Sequence, residues 1–456
     1  MSYFSSDTIC SLSTPLGSGA IAVIRVSGLD SFTIVNSIFR GNDILESRKQ
    51  KIFYGEIVYQ KEIIDEVILT VFRAPHSFTR QNTVEISCHN STYILKTILI
   101  LLQTQGARLA KPGEFTQRAF LNGRFDLAQA EAIAELIASD SKAAHQTAMN
   151  QMRGGFSNDI KTLRNKLIDF ASLLELELDF GEEDVEFAKR DDLKLLVVNI
   201  QNSLLPLLKS FQLGNTLKDG IPTVIAGKPN AGKSTLLNAL LNEERAIVSD
   251  IPGTTRDMIE DEFFVEGIKF RLIDTAGLRE TQDTIEAIGV ARTQQKMKQA
   301  SLIIYLFDPL VNRPDEIIAL ETELITLSVP YLLVGNKLDV VSSEAKLGFD
   351  ALENIVWISA SQQLQLDHLI EAMVLKVQGD QLQSGHTIIT NVRHYEHLKE
   401  TYEALARVSK KIDQSVTSDW LALDIREAMN HLGEITGEIT TDDLLSNIFS
   451  RFCIGK

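Results

Sequence analysis

The sequence predicts a multidomain protein of mixed α/β and α class. The expected parts are an N-terminal α+β module, a discontinuous all-helical domain, and a P-loop α/β domain inserted within the helices. Three observations carry this expectation. The first 118 residues interleave β-type runs with helical ones; residues 125–215 and 395–437 share a helical period; and between those blocks lies a series of strands ending in glycine-rich or acidic loops. At 456 residues the chain exceeds one ordinary core. The boundaries fall at residues 1–119, 120–217, 218–378 and 379–456.

In the first segment, "AIAVIRVSG" (20–28), "YGEIVYQKEIIDEVILTVFRAP" (54–75) and "TVEISCHNS" (83–91) are β-type, and "STYILKTILILLQTQG" is helical. Arg25 ends an apolar strand, which fits either an anionic small ligand or a strand-end salt bridge. The helical block follows, with "DLAQAEAIAELIASDSKAAHQTAMNQM" and "LRNKLIDFASLLELELDFGEEDVEF" placing apolar residues three and four apart. The period returns in "YEHLKETYEALARVSKKI" (395–412) and "DWLALDIREAMNHLGEITG" (419–437), after a linker at 377–387. Both helical blocks need a partner for their apolar faces, so the simplest arrangement is one helical domain carrying an insertion.

The insertion holds the strongest signal. In "TVIAGKPNAGKST" (223–235) a β-branched strand runs into Gly227-x-x-x-x-Gly232-Lys233-Ser234, with a leucine-rich helix behind it. This is the P-loop pattern in context: backbone N–H groups turn towards phosphates, Lys233 reaches the β/γ oxygens and Ser234 suits Mg²⁺. "KFRLIDTAG" (269–277) ends in Asp274-x-x-Gly277, suited to a metal water and the γ-phosphate. "PYLLVGNKLD" (330–339) ends in Asn336-Lys337-x-Asp339, and that carboxylate can accept from guanine N1–H and its amine, which adenine cannot offer. "NIVWISAS" (354–361) ends in Ser359-Ala360-Ser361, suited to the guanine O6. In "DIPGTTRD" (250–257), Thr255 is placed to reach Mg²⁺. In this order the elements specify a GTPase.

One position departs from Ras-like enzymes. Where those carry a glutamine that orients the attacking water, this chain has Leu278. Asn230 in the P-loop can hold a monovalent cation as a substitute charge, and Glu280, Asp283 and Glu286 can position water. Spacing alone leaves these open.

Composition bounds the partners. The net charge of −16 argues against a general polyanion binder. Residues 1–118 carry 12 Lys and Arg against 10 Asp and Glu, whereas the remainder is acidic. A nucleic-acid partner therefore needs local basic patches, and the N-terminal third is the first place to look. The longest apolar stretch, "YILKTILILL" (93–102), is too short to span a bilayer, and no leader pattern opens the chain. Cys10, Cys88 and Cys453 are too far apart for a CxxC pair, so a reducing, cytoplasmic setting is expected, with no membrane.

"DTIC", "AVIRVSG", "PHSFT", "PGEFTQRAFLNGRFDLAQAEAIAELI", "GKPNAGKSTLLNAL", "IPGTTRD", "DTAGLRE" and the terminal "FCIGK" together resemble, across the whole chain, the MnmE (or TrmE) family of tRNA-modification GTPases. The resemblance implies a homodimer with an N-terminal tetrahydrofolate-binding and dimerisation domain and a discontinuous helical domain carrying a Ras-like GTPase. It implies a heterotetramer with the FAD protein MnmG, acting on tRNA and not on DNA. The reaction installs an aminomethyl or carboxymethylaminomethyl group at C5 of wobble uridine U34, with 5,10-methylene- or 5-formyl-tetrahydrofolate as the one-carbon donor. GTP hydrolysis in the family is potassium-stimulated and activated by dimerisation of the GTPase domains.

Residue by residue, the family's folate contacts fall on Arg25, Glu85, Arg124 and Lys456, with arginine at 124 where many members have lysine. Its potassium ligands fall on Asn230, Ser249, Ile251 and Thr254, its magnesium ligands on Ser234 and Thr255, and its water-orienting carboxylate on Glu286. GTP contacts fall on Asn230, Ala231, Gly232, Lys233, Ser234 and Thr235 of the P-loop, and on Ser249, Asp250, Ile251, Pro252, Gly253, Thr254 and Thr255 of the switch. They continue through Asp274, Thr275, Ala276 and Gly277 to Asn336, Lys337 and Asp339 and to Ser359, Ala360 and Ser361. Cys453, flanked by Arg451 and Lys456, is expected to serve the modification chemistry; an apolar plug of Phe452, Cys453 and Ile454 is the alternative. "SFTRQNTVEISCHNS" lacks the "GED" and "HGG" common around Glu85. Two other functions compete: an RNA-binding assembly GTPase, which would append its RNA module after the GTPase, and a folate-binding regulator, which would not need intact nucleotide motifs.

Overall fold

A computed structural model of the chain describes residues 7–15, 17, 19–46, 49–179, 189–243, 262–265, 267–273, 295–352, 355–378, 388–414, 416–452 and 455. The chain divides into two compact units, each built from separated stretches of sequence. One comprises residues up to Ile137 with Gln151–Leu193 and Lys410–Lys456; the other comprises Ala138–Asn150 with Lys194–Ser409.

The first unit carries a seven-stranded sheet. Its strands are β1 (Ile9–Leu12), β2 (Ile21–Ser27), β3 (Phe39–Arg40), β4 (Lys51–Tyr59), β5 (Glu62–Phe72), β6 (Thr83–His89) and β7 (Arg108–Leu109), in the order β3-β4-β5-β6-β2-β1-β7. Alternation places Ala22, Ile24 and Val26 of β2, with Val84, Ile86 and Cys88 of β6, on a face covered by the helices Ser31–Ile38 and Thr92–Thr104. Arg25 and Glu85 fall on the opposite face as a directly paired cross-strand couple. The rest of this unit is helical. Glu114–Leu121, Leu127–Ala138 and Asp442–Ser450 close a small core of Leu127, Ala130, Leu445, Ile448 and Phe449. The Lys-Pro-Gly-Glu turn before residue 114 needs its glycine. Gly113 has φ +66, and a Cβ there would collide with the Phe449 carbonyl.

The second unit carries a six-stranded sheet of β8 (Ile221–Ala226), β9 (Glu262–Val265), β10 (Ile268–Leu272), β11 (Leu302–Phe307), β12 (Tyr331–Gly335) and β13 (Ile355–Trp357). The order is β13-β12-β11-β8-β10-β9, parallel except for the β9–β10 hairpin. The apolar runs "TVIA", "LIIYLF" and "YLLVG" are buried on both faces, as parallel strands covered by helices must be. Among the covering helices are Lys233–Glu243, Pro314–Thr326 and Leu366–Gln378.

The stretch 138–150 belongs to this second unit through specific contacts. Lys269 of β10, nearly buried, pairs with Asp140 at 2.8 Å and Glu262 at 2.9 Å. Ala143 N–H donates to the Gly267 carbonyl at 3.1 Å, and Ala143 packs on the sheet core. Burial pushes the Lys269 ammonium down, but Asp140 and Glu262 hold it above the ordinary lysine value, so it stays charged.

Candidate functional site

The first site is the carboxyl edge of the six-stranded sheet, where open α/β folds bind ligands. β8 delivers the chain into Gly227, whose φ of +149 leaves no room for a side chain, because a Cβ would strike the Leu306 carbonyl. Gly232, at φ +101, is closed in the same way by the Asn336 amide. Between them Asn230 adopts φ 61, a left-handed conformation that asparagine tolerates better than most residues. The loop thus presents a cradle that larger residues would fill, which fits a phosphate group. Lys233 opens the following helix and folds its ammonium back onto the carbonyls of Gly227 (2.8 Å) and Lys228 (2.9 Å). Burial lowers its pKa, and among the described residues no carboxylate pairs with it, as suits a cation that receives an anion. Ser234 and Thr235 follow in the first turn of that helix.

Asn336 joins this loop to the next. Almost fully buried, its amide donates to the Ala231 carbonyl at 2.8 Å, and its Oδ1 accepts from Ala360 N–H at 3.0 Å. Lys337 stands at φ 64 and pairs at 2.6 Å with Asp308, a buried carboxylate at the end of β11. Asp339 accepts from the Ser359 hydroxyl at 2.6 Å, and Ser359 lies 3.2 Å from Ser361. The residues expected to hold phosphate and those expected to read the base are therefore one hydrogen-bonded assembly across three loops. Asp339→Asn is expected to relax guanine preference towards xanthine, because an amide cannot accept from both guanine N–H groups. The effect is roughly 1–3 kcal/mol. Competition between GDP and XDP measures it, and an unchanged preference for GDP would exclude this loop as the base reader.

The second site lies in the other unit. Arg25 donates to Glu85 through Nε at 2.9 Å and Nη2 at 2.8 Å. Its guanidinium stands 5.1 Å from the centre of the Phe78 ring, and the Arg124 guanidinium stands 5.0 Å from the same ring. Arg124 also donates to the Ser77 carbonyl at 2.7 Å. Burial, then Arg80 and Arg25, lower the Arg124 pKa. A cavity of about 550 Å³ is lined by Phe78, Arg80, Glu85 and Arg124 among others. An aromatic ring beside guanidiniums and one carboxylate is suited to a flat heterocycle that carries donors, acceptors and negative charge. The chain terminus reaches this site. The Gly455 carbonyl accepts from Arg25 at 3.5 Å and from the Ser13 hydroxyl at 3.2 Å.

The profile of the MnmE helical domain matches residues 127–453, and that of the GTP-binding protein TrmE N-terminus matches residues 8–124. The chain belongs to the MnmE family. A Cytophaga hutchinsonii protein described as tRNA modification GTPase MnmE is 56% identical over 450 residues, spanning 99% of this chain and 98% of that protein. Proteins of the same description from Flavobacterium johnsoniae and Bacteroides fragilis are 49% and 47% identical, each pairing 99% of this chain with 99% of the relative.

Of the residues that the MnmE pattern singles out, the structure brings Arg25, Glu85 and Arg124 together around Phe78. It also gathers Ala231, Gly232, Lys233, Asn336, Lys337, Asp339, Ser359 and Ala360 at one sheet edge. Ser249, Asp250, Ile251, Pro252, Gly253, Thr254 and Thr255 lie outside the described residues, as do Asp274, Thr275, Ala276, Gly277, Leu278, Glu280, Asp283, Glu286, Cys453 and Lys456. The turn that departs from "GED" is tied to its surroundings by two side-chain oxygens. Asn82 Oδ1 accepts from Ala74 N–H at 3.1 Å, and Gln81 Oε1 accepts from Arg118 at 3.3 Å.

Two functional features escape a reading of motifs. Asp308, which holds Lys337, is signalled only by a carboxylate directly after the apolar run "LIIYLF". Phe78, which stands between two arginines, has no local signal beyond its place in "PHSFT".

Proposed function

We propose that the chain is a GTP hydrolase of tRNA modification, which couples nucleotide turnover at the P-loop edge to one-carbon chemistry at wobble uridine U34. The observation that carries this reading is the presence, in one MnmE-family chain, of a guanine-type loop assembly centred on Asn336 and a separate arginine–aromatic pocket approached by the chain terminus. In this reading Lys233 and the P-loop hold the phosphates and Ser234 and Thr255 hold Mg²⁺. Asn230, with Ser249, Ile251 and Thr254, holds potassium, and Glu286 orients water. The pocket of Arg25, Glu85 and Arg124, with Lys456, holds a tetrahydrofolate, which supplies the one-carbon unit. The protein acts in the cytoplasm as a homodimer with the FAD protein MnmG, and its domains divide at 1–119, 120–217, 218–378 and 379–456.

Nucleoside mass spectrometry of bulk tRNA from a strain lacking the gene tests this. Loss of the C5 substituent at wobble uridine is expected, and unchanged wobble uridines would overturn the reading. Complementation with Cys453→Ser is expected to restore GTP turnover but not modification, since a thiolate, favoured by Arg451 and Lys456 flanking it in sequence, can serve as nucleophile or proton acceptor, and an unactivated serine hydroxyl is far weaker in both roles at neutral pH. Normal modification in that strain would make the cysteine a packing residue.

A further inference from the structure

Residues 80–82 read Arg-Gln-Asn, one cation and no carboxylate, and Arg80 lines the cavity. Arg80 has φ 58, in the left-handed region that glycine adopts freely and a longer side chain does not. Backbone strain of this kind persists where the side chain has a use.

The side chain's surroundings indicate that use. Arg80 donates to the Asn122 carbonyl at 3.1 Å, and it lines the same cavity as Arg124. Arg124 is held in the same manner by the Ser77 carbonyl. Both anchors are neutral. Glu85, the one carboxylate among the described lining residues, is committed to Arg25. Among the described residues neither Arg80 nor Arg124 has a carboxylate partner, and the two guanidiniums repel each other. Phe78 and Glu85 are half-buried whereas Arg80 and Arg124 are exposed, so these two guanidiniums are open to an anionic group arriving from solvent.

We infer that Arg80, with Arg124, forms a guanidinium pair that recognises the carboxylates of an acidic ligand tail, so that this pocket prefers a folate bearing several γ-linked glutamates over one bearing a single glutamate. The inference rests on the folate reading of the pocket. It adds Arg80 as the residue that sets which folate is taken. Carboxylates are the anionic groups of a folate, they lie at the end remote from the pteridine, and a planar guanidinium matches them in geometry as well as charge.

The experiment is calorimetric titration of the full-length protein with 5-formyl-tetrahydrofolate carrying one or three γ-linked glutamates. Wild-type protein is expected to bind the triglutamate roughly three- to tenfold more tightly at low salt, the yield of an exposed charge-assisted contact, with the gap shrinking in high salt. Arg80→Gly, which adopts the same φ without strain, is expected to close the gap, and Arg80→Lys to retain part of it. Equal affinities in the wild type, or a gap that persists in Arg80→Gly, would overturn the inference and leave the folate reading standing. Binding of neither compound would overturn both.

Discussion

GTP hydrolysis is expected to fall by about 10²–10³ when sodium replaces potassium at equal ionic strength, and Asn230→Ala is expected to fall as far in potassium itself. With leucine at 278, where Ras-like enzymes carry the water-orienting glutamine, charge stabilisation is expected from elsewhere. Asn230 is exposed within the P-loop and held at φ 61, between two glycines whose own conformations are fixed by close contacts. Alanine at that φ adds strain, so Asn230→Gly is the cleaner companion: it removes the amide oxygen and keeps the backbone relaxed. Fluorescent nucleotide binding should change little in either variant, because the expected phosphate contacts are loop N–H groups and Lys233, which both variants keep. Equal turnover in the two salts, or wild-type turnover in Asn230→Gly, would take the cation out of the reaction.

Glu114→Gln is expected to destabilise its unit by about 3 kcal/mol near neutral pH, towards the lower end for a broken buried ion pair because Asp7 still faces Arg118. Glu114 accepts from Arg108 at 2.6 Å, from Arg118 at 2.9 Å and from Lys111 N–H at 2.9 Å. Arg118, only 7% exposed in its side chain, also donates to Asp7 at 2.7 Å. Burial pushes the Glu114 carboxyl up, but Arg108, the Lys111 amide and Arg118 together hold it below the ordinary value of 4.5. A carboxyl depressed in the folded state contributes stability above its unfolded pKa and loses it as pH falls through the folded one. The wild type should therefore lose its advantage over Glu114→Gln progressively below about pH 5. Urea titrations of both proteins from pH 7 down to pH 4 measure this. A difference that stays constant with pH would mean that the carboxylate's charge contributes nothing.

This network gives the Pro-Gly-Glu-Phe-Thr-Gln-Arg run a physical reason that its letters do not display. In sequence, Gly113, Glu114 and Arg118 look like a capped helix start. Their partners, Asp7 and the Phe449 carbonyl, are supplied by the two ends of the chain. The loop assembly around Asn336 was legible because each of its loops follows a strand whose apolar run is unmistakable, and the polar residues sit within a few positions of that run. β1 and β7 were not legible. "ICSL" and "RL" are too short to carry a period; β1 exists because it pairs antiparallel with β2, and β7 because it pairs in parallel with β1. Asp140 and Lys142 read as ordinary helix-end residues, and nothing local shows that they meet Lys269 and Gly267.

That last contact bears on how this protein can change over evolutionary time. The lobe that carries the P-loop owns a short stretch of chain encoded far upstream, between two stretches belonging to the other unit. A recombination event that exchanged residues 218–378 as a cassette would arrive without Asp140 and Ala143, leaving Lys269 nearly buried with only Glu262 to balance it and the Gly267 carbonyl without its donor. Conversely, a one-residue deletion within 138–150 would shift the register of a surface that the β9–β10 hairpin depends on. The inserted lobe and its host are thus interleaved along the gene, and the lobe that carries the P-loop cannot be inherited as residues 218–378 alone without repair at that hairpin.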